Sequence, residues 1–304
     1  MIYILIAVFL ILFIYFNTAE IPCPPCPVLA PTLPGAEPFF MSSDNNKAVL
    51  FIHGIPGTPA ELREMAEYFK EAGYNCCGPL LPGFGIDERH LNKSRFSDWY
   101  GFLRKTYLEL YHKYNEVNII GLSMGGALTL ALAEEFSFSR PPHTVVSMAA
   151  PICLNGFLGN TFVLQDGRLL FSGITARILP LIKKKQARAE VLAAEPWIGL
   201  KEYHSTRAVH SLVHNLPAVK NRLGRISVPA LIMHAPGDRD VPYANSIYIY
   251  KKIKSPVKKH FPVAYPDNDP THRHLFPINR HIKYNIFRQA LAFINNPENL
   301  NSEI

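Results

Sequence analysis

The residues best suited to chemistry surround a serine in the segment Gly121-Leu122-Ser123-Met124-Gly125-Gly126. An apolar run from Val117 to Ile120 leads into it, and an alanine- and leucine-rich stretch that favours a helix follows it. A tight turn from strand to helix needs small residues two positions either side of the serine, because larger side chains would collide with the neighbouring backbone. Such a turn presents the hydroxyl at the edge of the sheet, so Ser123 is predicted to be a nucleophile.

A serine hydroxyl attacks a carbonyl only when a base takes its proton, and a carboxylate orients that base. After a turn of this kind the chain order is serine, acid, histidine. Two aspartates follow the apolar run Ala230 to Met233. We predict that Asp238 is the acid, because it comes five residues after this run and three before Val241. Asp240 would then point away, as a surface or turn residue.

Two histidines, His272 and His274, lie in the loop after the last predicted strand. His274 is followed by Leu275-Phe276-Pro277-Ile278-Asn279 and then by the final predicted helix, a spacing that lets the loop fold back over the serine. We therefore predict His274 as the base and keep His272 as the alternative.

Acyl transfer also needs two N–H groups directed at the oxyanion. One is predicted at Met124, the residue after the nucleophile, and the other at Ile55, in the loop after the first strand of the body. Gly54 would let this loop run close to the substrate, and the side chain of His53 would brace it. A loop histidine with no part in the site is the alternative for His53.

The elements that must position these residues alternate along the chain. Continuous apolar runs are typical of parallel strands that are buried on both faces. Strands separated by helices imply right-handed crossovers, so the fold class is α/β with a mostly parallel sheet and helices on both faces. The predicted strands are Ala48 to Ile52, Tyr74 to Cys77, Val117 to Ile120, Thr144 to Met148, Ala230 to Met233 and, more weakly, Lys259 to Val263.

The helices have sequence signals of their own. Thr58-Pro59-Ala60-Glu61 predicts a helix start, with a hydroxyl cap, a proline at the first position and a glutamate three residues after the cap. Gly73 is placed to end that helix. Two further helices are predicted over Asp98 to Tyr114 and Tyr284 to Asn295.

Residues 154–223 interrupt the alternation with short helical stretches, and they are predicted to form an inserted cap. The basic run Lys183-Lys184-Lys185, with Arg188, is interpreted as a solvated helix face. A patch that meets anionic lipid headgroups is the alternative. The whole domain is predicted to span residues 47–296, followed by a tail at 297–304.

Two segments precede this domain. Residues 1–19 are almost entirely apolar and predict a transmembrane helix that acts as an anchor, although Ile2 to Phe16 would measure only about 22 Å against a hydrocarbon core of roughly 30 Å. A cleaved signal peptide is the alternative, but no Lys or Arg stands at its start. Residues 20–46 are predicted to be a proline-rich linker. We expect the body to be exported to the periplasmic or extracellular side, with a cytoplasmic orientation as the alternative.

Cys23 and Cys26 flank two prolines in this linker. In an extended polyproline segment their Cα atoms would lie about 9 Å apart, too far for a disulfide. A bridge would need a turn there, and acylation of a juxtamembrane cysteine is the other possibility.

Composition limits the remaining function classes. Of 304 residues, 48% are hydrophobic and 18% are charged, which supports a sizeable core and excludes global disorder. The net charge of +7 permits contact with anionic lipid, but no nucleic-acid-binding motif accompanies it. Five cysteines are too few for a disulfide scaffold.

Together these motifs resemble the α/β-hydrolase superfamily, within it the bacterial carboxylesterases of the monoacylglycerol-lipase-like group. The resemblance rests on the loop at His53 and Gly54, the turn at Ser123, Asp238 before Val241-Pro242, and His274 before the last helix. It implies a Ser-His-Asp hydrolase with a small cap, no metal and no organic cofactor, acting on carboxylic esters. Ala235 stands where glycine commonly follows the histidine of the acid loop.

The predicted function is therefore a serine esterase, a carboxylesterase or monoacylglycerol-lipase-like enzyme whose substrate is a small-molecule or lipid-like ester. A thioesterase, an amidase or an aminopeptidase would use the same groups. A membrane-tethered binding protein with an idle site is the alternative of another class. The membrane, through the N-terminal helix, is the other predicted partner, and nucleic acid is not.

Overall fold

The structure is a computed structural model in which residues 2–19, 21 and 31–298 are described. Eleven strands lie in this part of the chain: β1 (Phe39–Met41), β2 (Lys47–Ile52), β3 (Asn75–Gly78), β4 (Glu116–Leu122), β5 (Val145–Met148), β6 (Asn155–Leu158), β7 (Thr161–Leu164), β8 (Leu181–Lys183), β9 (Tyr203–Ser205), β10 (Ala230–His234) and β11 (Lys258–Pro262). The α-helices are α1 (Ile2–Thr18), α2 (Ala60–Glu71), α3 (Glu88–Leu91), α4 (Phe96–Lys113), α5 (Met124–Phe136), α6 (Ser172–Ile178), α7 (Ala189–Ala194), α8 (Thr206–Arg222), α9 (Ala244–Lys252) and α10 (Lys283–Asn295).

Seven strands form one sheet in the order β1-β3-β2-β4-β5-β10-β11. Only the edge strand β1 runs antiparallel to its neighbour, and the other pairs are parallel. The predicted α/β architecture is confirmed. Because the carboxyl ends of parallel strands meet at one edge, the loops after β2, β4, β10 and β11 come together there, and these loops carry the residues singled out above.

The sheet has an apolar core on each face. Along β2 the side chains alternate: Leu50 and Ile52 belong to the core under α4, α5 and α8, whereas Val49 and Phe51 belong to the core under α2 and α10. The sheet is thus buried on both sides, which explains why its strands read as continuous apolar runs.

The start of α2 differs from the prediction. Pro59 is the capping residue, and no side chain caps the helix. The hydroxyl of Thr58 donates instead to the carbonyl of Ile198, at 2.8 Å, and the carboxylate of Glu61 turns to Gly54 and Trp197. The predicted capping box is wrong because both of its side chains make tertiary contacts.

The segment 154–223 lies between β5 and β10, apart from the main sheet. It contains the two-stranded antiparallel sheets β6–β7 and β8–β9 and the helices α6, α7 and α8. The basic run is not a helix face: Lys183 ends β8, and the half-buried Lys184 donates to the carbonyl of Leu200 at 2.6 Å.

The N-terminal region contains α1, whose described side chains are mostly exposed, and whose C-terminal end contacts the segment around α6. Asn17 accepts a hydrogen bond from the amide of Gly173 at 3.1 Å, and Arg177 donates to the carbonyl of Ala19 at 3.1 Å. In residues 2–19, 21 and 31–298, no helix combines the length and the apolar character needed to cross a membrane. The predicted transmembrane helix is therefore not supported.

The predicted linker is only partly described. Its last part contains β1, which pairs with β3 and so belongs to the sheet. Cys23 and Cys26 lie outside the described residues. Within them, Cys76, Cys77 and Cys153 are free thiols.

Candidate active site

Ser123 occupies a strained turn between β4 and α5. Its φ of 56° and ψ of −121° lie in a region that non-glycine residues rarely adopt. A Cβ on Gly121 would lie 2.1 Å from the carbonyl oxygen of Gly125, and one on Gly125 would lie 2.0 Å from that of Ile52. The crowding predicted around the serine is confirmed, and it explains both glycines.

Asp238 and His274 form a buried pair. Nδ1 of His274 donates to Oδ2 of Asp238 at 2.7 Å, and the other carboxylate oxygen accepts the amides of Asp240 and Val241 at 2.8 and 2.9 Å. Because Nδ1 carries the proton in this bond, Nε2 of His274 is left to act as a base.

Each member of the pair changes the pKa of the other. Burial works against a charged carboxylate, but the charge of His274 and the hydrogen bonds from His274 and His234 outweigh it, and they hold the pKa of Asp238 below its ordinary value. Burial likewise works against a charged imidazole, but Asp238 outweighs it through its charge and its hydrogen bond, and raises the pKa of His274. An imidazolium formed at His274 is therefore stabilised.

His234 is a member of this cluster that the sequence analysis missed. It is fully buried at the end of β10, and its Nε2 lies 3.0 Å from Oδ2 of Asp238 and 3.2 Å from the carbonyl of Val241. Both partners are acceptors, so Nε2 is the donor. Its position in the sequence could have indicated this role, because the residue that ends a strand at this edge of the sheet is directed at the site.

The alternative histidine, His272, also pairs with an aspartate, but this pair lies on the surface. Nδ1 of His272 contacts Oδ1 of Asp240 at 3.0 Å, and both side chains are about half exposed. The hydrogen bond that His272 donates to Asp240 is the main reason that the pKa of His272 is raised. Asp240 is exposed, as expected of a surface residue, but it does not point away: one of its carboxylate oxygens lies within 4.8 Å of ligand atoms of Asp238 and His274.

The loop after β2 passes beside the serine. A Cβ on Gly54 would lie 3.1 Å from Cβ of Ser123. The side chain of His53 holds this loop: its Nε2 accepts the amide of Leu81 at 3.2 Å, and Nδ1 donates to the carbonyl of Gly54 at 2.9 Å. Burial lowers the pKa of His53 to about 4, so this histidine is neutral.

The two amides that are predicted to bind the oxyanion lie next to Gly54 and Ser123. Ile55 directly follows Gly54, and Met124 directly follows Ser123 at the first position of α5. Among the described residues, neither amide donates to another group of the protein. Both are therefore free to bind an oxyanion.

Glu61 is the second residue near the site whose contacts the sequence did not predict. Its carboxylate is buried, and its Oε2 accepts the amide of Gly54 at 2.8 Å. Its Oε1 accepts Nε1–H of Trp197 at 2.6 Å. Burial raises the pKa of Glu61, and its two N–H partners act in the opposite direction.

Ligand atoms of Asp238, Asp240 and His274 lie within 4.8 Å of one another, a spacing that suits a metal ion. Both oxygens of Asp238 already accept hydrogen bonds, so a metal there would have to displace them. Hydrogen bonds within the protein account for all three groups, since His274 donates to Asp238 and Asp240 is hydrogen-bonded to His272.

A strained serine turn and a buried histidine–aspartate pair at one edge of a parallel sheet are features of α/β hydrolases. The family model described as "alpha/beta hydrolase fold" matches residues 47–270. The chain belongs to this family.

Two curated relatives are bacterial proteins. The chain is 31% identical over 234 residues to a thermostable monoacylglycerol lipase of Bacillus sp. (strain H-257), which covers 75% of this chain and 85% of that protein. It is 24% identical over 223 residues to a carboxylesterase of Bacillus subtilis (strain 168), which covers 72% of this chain and 83% of that protein.

Solved structures agree on the fold. One from work on the metagenome-derived lipolytic enzymes LipS and LipT superposes with a TM-score of 0.74 at 25% identity, covering 87% of this chain and 99% of that one. A monoacylglycerol lipase of Paleococcus ferrophilus superposes with a TM-score of 0.64 at 14% identity, covering 86% and 99%.

Proposed function

We propose that the protein is a serine hydrolase that cleaves carboxylic esters through an acyl-enzyme. His274 takes the proton of the Ser123 hydroxyl as the oxygen attacks the ester carbonyl, and Asp238 stabilises the resulting imidazolium. The N–H groups of Ile55 and Met124 bind the oxyanion. His274 then protonates the leaving alcohol, and a water molecule repeats the sequence to release the acid.

The observation that carries this proposal is the buried hydrogen bond from His274 to Asp238, at 2.7 Å. It fixes the tautomer of the imidazole, so that the nitrogen left without a proton is the one a base needs. It also supplies the negative charge that a transient imidazolium requires. The lipase and esterase names of the relatives support an ester as the substrate.

The test is hydrolysis of p-nitrophenyl butyrate by the wild type and by Ser123→Ala. We expect the variant to lose at least about a thousandfold in kcat. Full activity of Ser123→Ala would contradict the proposal. A thioester and an anilide with the same acyl group, assayed in parallel, separate an esterase from a thioesterase or an amidase.

We propose that residues 154–223 form a cap over this site and that the substrate is lipid-like. Apolar side chains are exposed on this segment, among them Phe157, Phe162 and Ile178. The apolar helix α1 contacts the same segment. Activity against monoacylglycerols of graded acyl length tests this, and a preference for the shortest acyl chain would contradict it.

We also propose that α1 attaches the protein to a membrane. Its side chains from Tyr3 to Phe16 are apolar and, except for Phe13, which packs against Phe171, they are exposed. Flotation of the full chain with lipid vesicles tests the attachment, with a chain that lacks residues 1–30 as the control. Equal flotation of both proteins would contradict this role of α1.

A further inference from the structure

The carboxylate of Glu61 joins two parts of the molecule that are distant in sequence. One oxygen accepts the amide of Gly54, next to the proposed oxyanion amide of Ile55. The other accepts the indole N–H of Trp197, in the segment between β5 and β10. The side chain is almost fully buried, with 3% exposed, so water does not compete for these bonds.

Trp197 belongs to a stretch, residues 194–200, that we call the strap. Besides the indole contact, the strap makes two backbone contacts on the side of the oxyanion loop. The carbonyl of Ile198 accepts the hydroxyl of Thr58 at 2.8 Å, and the amide of Leu200 donates to the carbonyl of Pro56 at 3.1 Å.

The other end of the strap contacts the segments that flank His274. The carbonyl of Ala194 accepts the amide of Arg280 at 3.0 Å. Buried Glu195 accepts the side-chain amide of Asn279 at 3.3 Å and the hydroxyl of Tyr265 at 3.4 Å. The strap therefore bridges the loop that carries the oxyanion amide and the loop that carries the base.

Two glycines leave the space that this arrangement needs. A Cβ on Gly57 would lie 1.9 Å from Oε1 of Glu61, so the carboxylate occupies the space of a side chain. A Cβ on Gly199 would lie 2.3 Å from the ring of Trp197 and 2.8 Å from the carbonyl oxygen of Pro56. The strap thus packs on the oxyanion loop more closely than any side chain at Gly199 allows.

We propose that Glu61 is a positioning residue that uses Trp197 and the strap to fix the oxyanion amide of Ile55 relative to His274. This inference rests on the proposed function, since it concerns the geometry of the same site. An amide displaced by a fraction of an ångström stabilises the oxyanion less, while the ester in its ground state binds almost as well. Loss of this contact should therefore lower kcat rather than raise KM.

The charge of Glu61 has a separate, measurable effect. The charged groups that act on His274 are Asp238 and Asp240 from the acid loop, Glu61 from α2 and Glu195 from the strap. Since Glu61 raises the pKa of His274, its neutralisation should move the acid limb of the pH profile of kcat/KM to lower pH.

The test compares Glu61→Gln, Trp197→Phe and the double variant in hydrolysis of p-nitrophenyl butyrate. A glutamine directs its NH2 group at one of the two N–H donors, so kcat should fall about 10- to 100-fold with KM changed less than about threefold. Trp197→Phe removes one donor, and kcat should fall about threefold. In the double variant the glutamine oxygen can face Gly54 without a clash, so kcat should recover several-fold over Glu61→Gln.

The acid limb of the pH profile of kcat/KM should move to lower pH in Glu61→Gln and in the double variant, and it should stay unchanged in Trp197→Phe. General destabilisation of the protein would not give this pattern. Glu67→Gln, an exposed change on the same helix, is the matched control and should leave kcat and the pH profile unchanged.

Unchanged kcat in Glu61→Gln, a double variant no faster than Glu61→Gln, or an unmoved acid limb would each overturn the inference. If Glu61→Gln does not fold, Trp197→Phe decides alone, since its unchanged kcat would refute the strap. Ser123→Ala, assayed beside these variants, separates the two proposals: activity that survives it refutes the proposed function, whereas its loss with unchanged Glu61→Gln refutes only the role of Glu61.

Discussion

Among the histidine–aspartate pairs in the described part of the chain, two are built from almost the same stretches of sequence. His274 contacts Asp238 at 2.7 Å, and His272 contacts Asp240 at 3.0 Å, so each member of one pair lies two residues from its counterpart in the other. The first pair is buried, with side-chain exposures of 8% and 0%. The second is open to solvent, with 59% and 47%.

The two pairs therefore differ in environment rather than in residue type or spacing. Solvent screens the outer pair, and such surface pairs contribute only about 0–1 kcal/mol to stability. The inner carboxylate is held by His274, by His234 and by two backbone amides, so it cannot rotate away from the imidazole. We therefore expect catalysis to depend on the inner pair alone.

The largest effect should come from the inner histidine. His274→Ala should lower kcat by about 10⁴-fold or more, because it removes the proposed base and the proton donor to the leaving group. His272→Ala should change kcat less than twofold. Steady-state hydrolysis of p-nitrophenyl butyrate by the two variants, with thermal unfolding as a check on folding, measures both, and the reverse ranking would exchange the roles of the pairs.

Asparagine in place of each aspartate should give a smaller but similar contrast. Asp238→Asn keeps the shape but offers an NH2 group to donors, so the imidazole is left in the wrong tautomer and kcat should fall about 10³- to 10⁴-fold. Asp240→Asn should retain at least half of the activity. Equal losses in the two variants, measured in the same assay, would mean that burial does not distinguish the pairs.

His234 gives the inner pair a support that the outer pair lacks. His234→Leu removes one donor to Asp238 but leaves the other three, so kcat should fall about tenfold with KM nearly unchanged. Kinetics on the variant at matched fractions of folded protein test this. Wild-type kcat in His234→Leu would show that the remaining contacts orient Asp238 by themselves.

The smallest expected effect is on pH dependence. The proposed base works only when it is neutral, and its pKa is raised, so kcat/KM should fall as pH decreases, with a midpoint above the ordinary histidine value of about 6.5. Asp240 adds to this shift, so Asp240→Asn should move the midpoint slightly to lower pH while the plateau stays the same. A midpoint in Asp240→Asn that is higher than in the wild type would contradict this sign.

Much of the fold could be predicted because apolar runs that are buried on both faces leave a strong sequence pattern. Strands β2, β4 and β10 are found within one or two residues of the predicted runs. Strand β1 was missed, since three residues at an antiparallel edge carry little pattern and lie in a segment that reads as linker.

Local chemistry made the turn at Ser123 predictable from sequence, whereas tertiary contacts place Glu61 and His234. The turn at Ser123 has a local steric cause, so sequence alone indicated it. Glu61 was interpreted as a helix-capping residue because the segment Thr58-Pro59-Ala60-Glu61 fits a capping box equally well. Its actual partner Trp197 lies 136 residues away, a contact that no short motif encodes. His234 was missed for the same reason, because burial beside Asp238 depends on the assembled sheet.

The most direct test of the central claim is to locate the adduct of a fluorophosphonate by peptide mass analysis and to compare its rate of formation in the wild type, His274→Ala and His272→Ala. The account predicts a single adduct on Ser123, formed at the wild-type rate in His272→Ala and at least about a hundredfold more slowly in His274→Ala. An adduct on another residue, or equally fast labelling of Ser123 in His274→Ala, would contradict it.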